Sequence, residues 1–345
     1  MTRFLRSIAV GVLLAIVSGC TTVPSQEGTI AFLLPESKTA RYEATDRPVF
    51  EARVRQLGDY RLLYSNADQD AAKQQSQAEA ALASGIDVLV LDPVDAEAAV
   101  SIVAAANSQG VPVIAYDRLP AGGELAYYVS FDNENIGEQQ AEAFAAEVGA
   151  TEGSSGILLL NGSPTDPNAA QFKSGAHQVL DATGMRVLGE FDTPDWSPDQ
   201  AQNWVAGQIT QYGSRIVGIY AANDGTAGGA IAALQAANVE PLPVVSGQDA
   251  ELAGIQRIVA GDQYLTIYKA MREQARLAAE AAVALARGGS VEADTEVAGT
   301  PATILPAEVV TLENVMTTVV ADGLYSIDDI CTPDYAAACA RAGLR

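Results

Sequence analysis

The residues of this 345-residue chain best equipped for chemistry recur at one kind of place, the downstream ends of short apolar runs. The run 113–116 passes into Asp117 and Arg118, and 156–160 into a polar loop ending at Asn168. The run 216–221 is followed by Asn223 and Asp224, 244–246 by Gln248 and Asp249, and 264–268 by Lys269. A first run, 29–34, opens on a loop carrying Arg41 and Tyr42. Trp196, one of two tryptophans, lies just past 187–191. Asp and Asn accept hydrogen bonds, Arg, Lys and Asn donate them, and a flat aromatic offers a face to C–H groups. That set complements a ring bearing many hydroxyls, and its charge-assisted hydrogen bonds are the stronger kind.

Each residue also has a plainer use. Asp or Asn after a strand commonly caps the next helix, which alone would explain Asp224 or Asp249. Arg118 alone suits a surface ion pair, and Trp196 alone a core position. Lys269 ahead of a helix sits where the helix dipole disfavours a cation, so a passive role fits it less well. Convergence of six strand ends on one palette favours a binding site.

The elements that position these residues alternate regularly. Strand-like runs at 29–34, 60–65, 88–91, 113–116, 127–130, 156–160, 187–191, 216–221, 244–246 and 264–268 are separated by Ala-rich helical stretches. The helices are expected at 49–57, 71–84, 96–108, 134–148, 169–182, 199–212, 226–237 and 271–287. Short Val/Ile/Leu runs separated by helices predict parallel sheets covered on both faces, here two doubly wound, Rossmann-like α/β lobes. In open sheets of this kind ligands bind beyond the carboxyl ends of the strands.

The first residues read as targeting rather than fold. Arg3 and Arg6 precede an apolar run, 8–17, that is shorter than the roughly 20 residues of a membrane-spanning helix. Val17-Ser18-Gly19-Cys20 then looks like a bacterial lipobox. The expectation is a signal peptide over 1–19, acylation of Cys20, a tether over 20–28 and export to the cell envelope. The protein would then be held in the periplasm or on the outer face of the cytoplasmic membrane, touching the membrane through the lipid alone. In such a compartment Cys331 and Cys339 read as a disulfide. A continuous helix would hold them about 12 Å apart, so Pro333 is expected to break the chain between them.

A formal charge of −23 opposes nucleic-acid binding, which needs a basic footprint. The single histidine, His177, falls in a predicted helix. No Gly-x-Ser-x-Gly elbow, phosphate loop, His/Cys metal spacing or dinucleotide fingerprint is present. Neither enzyme chemistry, a metal nor a cofactor is therefore expected.

At the residues named above the chain resembles the D-xylose-binding members of the ribose- and galactose-binding (type I) solute receptors of bacterial ABC transporters. The stretches that carry the likeness are Ala115-Tyr116-Asp117-Arg118, Tyr128–Asn133, Gly162–Ala169, Ala222–Gly229, Ser246–Gly254 and Tyr268-Lys269. The resemblance implies a type I periplasmic binding protein fold, with a three-strand hinge crossed near Asp132, Tyr268 and Leu305. It places 29–131 plus 269–304 in the first lobe and 132–268 plus 305–325 in the second, leaving 326–345 as a tail.

It also implies that Arg41, Asp117 and Arg118 hold sugar hydroxyls from the first lobe. Asn168, Asn223 and Asp249 would hold them from the second, with Lys269 at a crossover. Trp196 would stack on one sugar face, and Tyr42 stands where the family usually has a tryptophan for the other. The expected partners are a monosaccharide, D-xylose first, and an ABC permease that reads the closed form of a monomer. Glucose, arabinose or ribose, or a role in sensing, stay open at this level. A repressor built on the same core would need an N-terminal DNA-binding segment in place of the export signal.

Overall fold

The computed structural model describes residues 27–344, so Cys20 and the export segment lie outside the described residues. The chain begins with β1 (Gly28–Leu34), α1 (Arg47–Leu57), β2 (Tyr60–Asn66) and α2 (Ala71–Ala83). It continues through β3 (Val88–Leu91), α3 (Ala99–Ser108), β4 (Val113–Tyr116) and β5 (Tyr127–Phe131). Strands β1 to β5 pair in parallel because each connection returns over a sheet face. Phe32, Phe50 and Tyr116 pack on one face, and Leu33, Leu82 and Ile102 on the other. Burial on both faces is why β3 and β4 are unbroken apolar runs.

After Phe131 the chain enters the second lobe. There it forms α4 (Asn133–Val148), β6 (Gly156–Asn161), α5 (Pro167–Thr183), β7 (Val187–Asp192) and α6 (Pro198–Tyr212). Next come β8 (Ile216–Ala221), α7 (Asp224–Ala236), β9 (Val244–Val245) and α8 (Leu252–Ala260). Its parallel sheet runs in the order β7-β6-β8-β9.

The strand β10 (Leu265–Lys269) then leads to α9 (Met271–Ala286), which packs against the first sheet, followed by β11 (Thr295–Val297) and β12 (Thr300–Leu305). The first sheet is completed as β11-β12-β5-β4-β3-β1-β2, with β11 antiparallel. From β12 the chain passes to β13 (Ala307–Thr311), which pairs only with β10. The run 264–268, expected in a parallel sheet, is thus half of an antiparallel ribbon. The reason is directional, since β10 leaves the second lobe and β13 returns to it.

The tail carries α10 (Ile327–Ile330) and α11 (Ala336–Ala342), with Pro333 between them. Ile330, Ala338 and Cys339 pack against Ile255 and Val259 of α8, and Cys331 is bonded to Cys339 with Cα atoms 5.9 Å apart.

Candidate functional site

The facing strand ends enclose one small, tightly closed cavity. All nine residues expected to bind sugar line it: Arg41, Tyr42, Asp117, Arg118, Asn168, Trp196, Asn223, Asp249 and Lys269. Thr39, Asp166, Phe172 and Gln248 line it as well.

Backbone geometry sets several of these side chains. Asp117, Asp195, Trp196, Asp249 and Ala250 all have φ between 48° and 91°, a region that side-chain-bearing residues seldom occupy. Such strain clusters where surrounding structure holds a functional residue in place. The turn at Asp117 is held from three sides: its carbonyl accepts from Ser130 Oγ at 2.6 Å, Tyr128 Oη at 3.1 Å and Asn168 Nδ2 at 3.2 Å.

The first lobe supplies a tight ionic cluster. Arg41 Nε and Nη2 donate to the two oxygens of Asp46 at 3.0 and 2.6 Å, and Nη1 reaches Asp117 Oδ1 at 3.3 Å. Burial would raise the Asp117 carboxyl, but Arg41, Lys269 and Arg118 outweigh it and hold the group at about 2. Tyr42 donates its hydroxyl to Asp117 Oδ2 at 3.2 Å, so its role includes a hydrogen bond as well as a ring face.

The second lobe completes the enclosure. Arg118 Nε lies 2.9 Å from Asp166 Oδ2, while Asp166 caps α5 by accepting the Asn168 N–H at 2.8 Å. Asp166 Oδ2 also accepts Trp196 Nε1–H at 2.9 Å. The six-membered ring of the indole lies close against Gly162, where a Cβ would fall 2.0 Å from it. Only glycine fits there. Asn223 combines both readings open to it: its Oδ1 caps α7 through the Thr226 N–H at 2.8 Å, leaving its amide nitrogen for the cavity. Asp249 is not a cap, since Glu251 holds the position before α8; its Oδ1 instead lies 2.7 Å from Lys269 Nζ. Lys269 ends β10 rather than opening α9, near the rings of Phe131 and Phe172 at 5.5 and 5.4 Å.

Sequence reasoning missed four lining residues. Asp166 and Gln248 sit within the polar loops that drew attention, but a buried ion pair and an orphaned amide leave no local mark. Gln248 Oε1 is buried without a protein partner, as expected of a group that meets a ligand. Phe172 is one of the apolar residues of α5, and Thr39 belongs to the loop before Arg41.

Three cations (Arg41, Arg118, Lys269) and three carboxylates (Asp117, Asp166, Asp249) line the cavity, so the lining balances its own charge. A ligand of net charge would upset that balance, whereas a neutral polyol can insert hydroxyls as both donors and acceptors. A wider surface hollow of about 530 Å³ beside β9 contains only acidic charged groups, Glu147, Asp262 and Glu313. No cluster able to hold a metal ion occurs among the described residues.

Comparison with known proteins agrees with this geometry. Residues 30–290 match the model of the periplasmic binding protein domain. The D-xylose-binding periplasmic protein of Escherichia coli is 34% identical over 314 residues, covering 89% of this chain and 93% of that protein. Its namesake from Haemophilus influenzae is 35% identical, with the same two coverages. Among solved structures, a carbohydrate transporter solute-binding protein from Chloroflexus aurantiacus in complex with D-glucose superposes with a TM-score of 0.80. It is 29% identical, and the match covers 87% of this chain and 97% of that one. The chain belongs to the periplasmic binding protein family, with the two-lobed fold of its sugar-receiving transport receptors rather than that of an enzyme.

Proposed function

We propose that this protein captures a monosaccharide, D-xylose first, between its lobes and presents the closed form to an ABC importer. The observation that carries the reading is the self-neutralising, aromatic-walled cavity closed by both lobes. Its contacts belong to the closed state: Asn168 to the Asp117 carbonyl, Arg118 to Asp166, and the Ala40 N–H to Glu251 Oε1 at 2.8 Å. A sugar that touches both lobes at once binds that state better than an open one, which is what drives a hinge. The xylose relatives favour xylose, and the glucose-bound neighbour makes D-glucose the competitor to test. Export and acylation at Cys20 belong to the same proposal.

Calorimetric titration of the protein with Cys20 replaced tests it. One-to-one binding of D-xylose with D-glucose much weaker is the expected result. Tight glucose binding would transfer the assignment, and silence with both sugars would overturn it.

A further inference from the structure

Gln274 lies outside the cavity, yet it touches both of the first lobe's charged ligand-facing groups that meet each other. It sits in the first turn of α9, five residues beyond Lys269, and is completely buried. Its amide oxygen accepts a hydrogen bond from Arg41 Nη2. Its amide nitrogen donates to Asp117 Oδ1 at 3.2 Å and to the Val129 carbonyl at 3.1 Å. One side chain therefore spends its acceptor and both donors on three partners from three elements. Val129 belongs to β5, two residues before the chain first leaves the lobe, and α9 starts just after it returns.

We propose that Gln274 is a positioning residue for sugar recognition, fixing Arg41 and Asp117 in one arrangement and tying that arrangement to two of the hinge segments. The inference rests on the sugar-receptor reading above. Asp46 already anchors Arg41 through Nε and Nη2, but the one direct contact between Arg41 and Asp117, at 3.3 Å, leaves the Asp117 carboxylate free to turn against Nη1. An amide that accepts from one and donates to the other removes that freedom, because the swap of roles would leave a buried donor facing a donor. Glutamine also does this without charge. A carboxylate at the same place would repel Asp117, and an amine would repel Arg41.

The test is sugar titration of the parent, Gln274→Met and Gln274→Glu, with thermal melting of each. Gln274→Met keeps the length and loses all three hydrogen bonds. It is expected to weaken sugar binding about tenfold or more, the usual scale for orphaning buried charged partners. The loss should be non-additive with Asp117→Asn and additive with Asn223→Ala, which acts from the other lobe. A residue that merely supports the fold would add to both alike. Relative to the parent at the same pH, Gln274→Glu should bind poorly at pH 8 and recover toward pH 5, where its carboxyl takes up a proton and again donates to Asp117. That profile tests the idea even if the methionine variant does not fold. A binding parent whose variants bind equally well, with additive cycles and no new pH dependence, would overturn the role of Gln274 alone. A parent that binds no sugar would overturn the receptor reading with it.

Discussion

Arg118 and Asp166 face each other at 2.9 Å across the cleft, one from each lobe, and both are almost wholly withdrawn from water. Asp166 is at once the cap of α5 and the acceptor for the Trp196 indole. Closing the lobes therefore joins an ion pair to the aromatic wall of the cavity.

Asp166→Asn should weaken sugar binding about 30-fold or more. Removing one partner of a buried charge pair costs roughly 2–5 kcal/mol, chiefly through the charge left behind. Arg118 would then keep Asp92, at 3.7 Å, and the Pro93 carbonyl, which accepts from its Nη1 at 3.2 Å. Calorimetry should show this loss in the sugar affinity. An unchanged affinity would mean that the pair contributes equally to open and closed forms.

Trp196→Ala removes the indole that rests on Gly162 and should cost at least about 1 kcal/mol of binding. Trp196→Phe keeps an aromatic face but loses the hydrogen bond to Asp166 and should fall between alanine and the parent. Equal affinity for phenylalanine and alanine variants would show that the indole N–H, not the face, does the work.

Lys269 and Asp249 form a further buried pair. Asp249→Asn or Lys269→Met alone should destabilise the fold by roughly 3–5 kcal/mol, because either leaves an unpaired buried charge. The double variant should recover part of that. Urea unfolding of the four proteins measures the coupling, and strictly additive losses would contradict it.

Glu251 gives binding a pH dependence of defined sign. Burial first, then the neighbouring Asp224 and Asp249, push its carboxyl up to about 8, against an ordinary value of 4.5. The Ala40 N–H and then Arg257 pull the other way without offsetting this. The closed form thus holds a proton that an opened, solvated Glu251 releases. Its contribution to closure is complete below about pH 4.5 and is lost as pH rises through about 8. Sugar affinity should decline across that window by at most tenfold per pH unit, and Glu251→Gln should flatten the curve. Asp224, pushed by burial to about 7, hydrogen-bonds within the second lobe to Gln263, Thr266 and the Glu251 N–H. Its titration should therefore appear in fold stability. A curve unaltered by Glu251→Gln would remove the latch.

The strand-end positions of all nine predicted cavity residues were legible in the sequence, as were the β1 to β10 runs and eight helices, α1 to α7 and α9, because periodicity and turn chemistry are local signals. The short strands β11 to β13 were not, since each sets at most two adjacent Val, Ile or Leu residues among partly exposed, polar ones with no helix-length segment between them. Nor was α8, whose nine residues follow directly on the Asp249 turn. What the chain by itself determined is which residue types stand at the ends of which strands. What only the tertiary structure decided is their pairing: Lys269 with Asp249, Arg118 with Asp166, and Gln274 between Arg41 and Asp117. Those partners lie 20 to 233 residues apart along the chain. A buried polar side chain looks like any other until folding brings its counterpart within about 3 Å and water is removed from both.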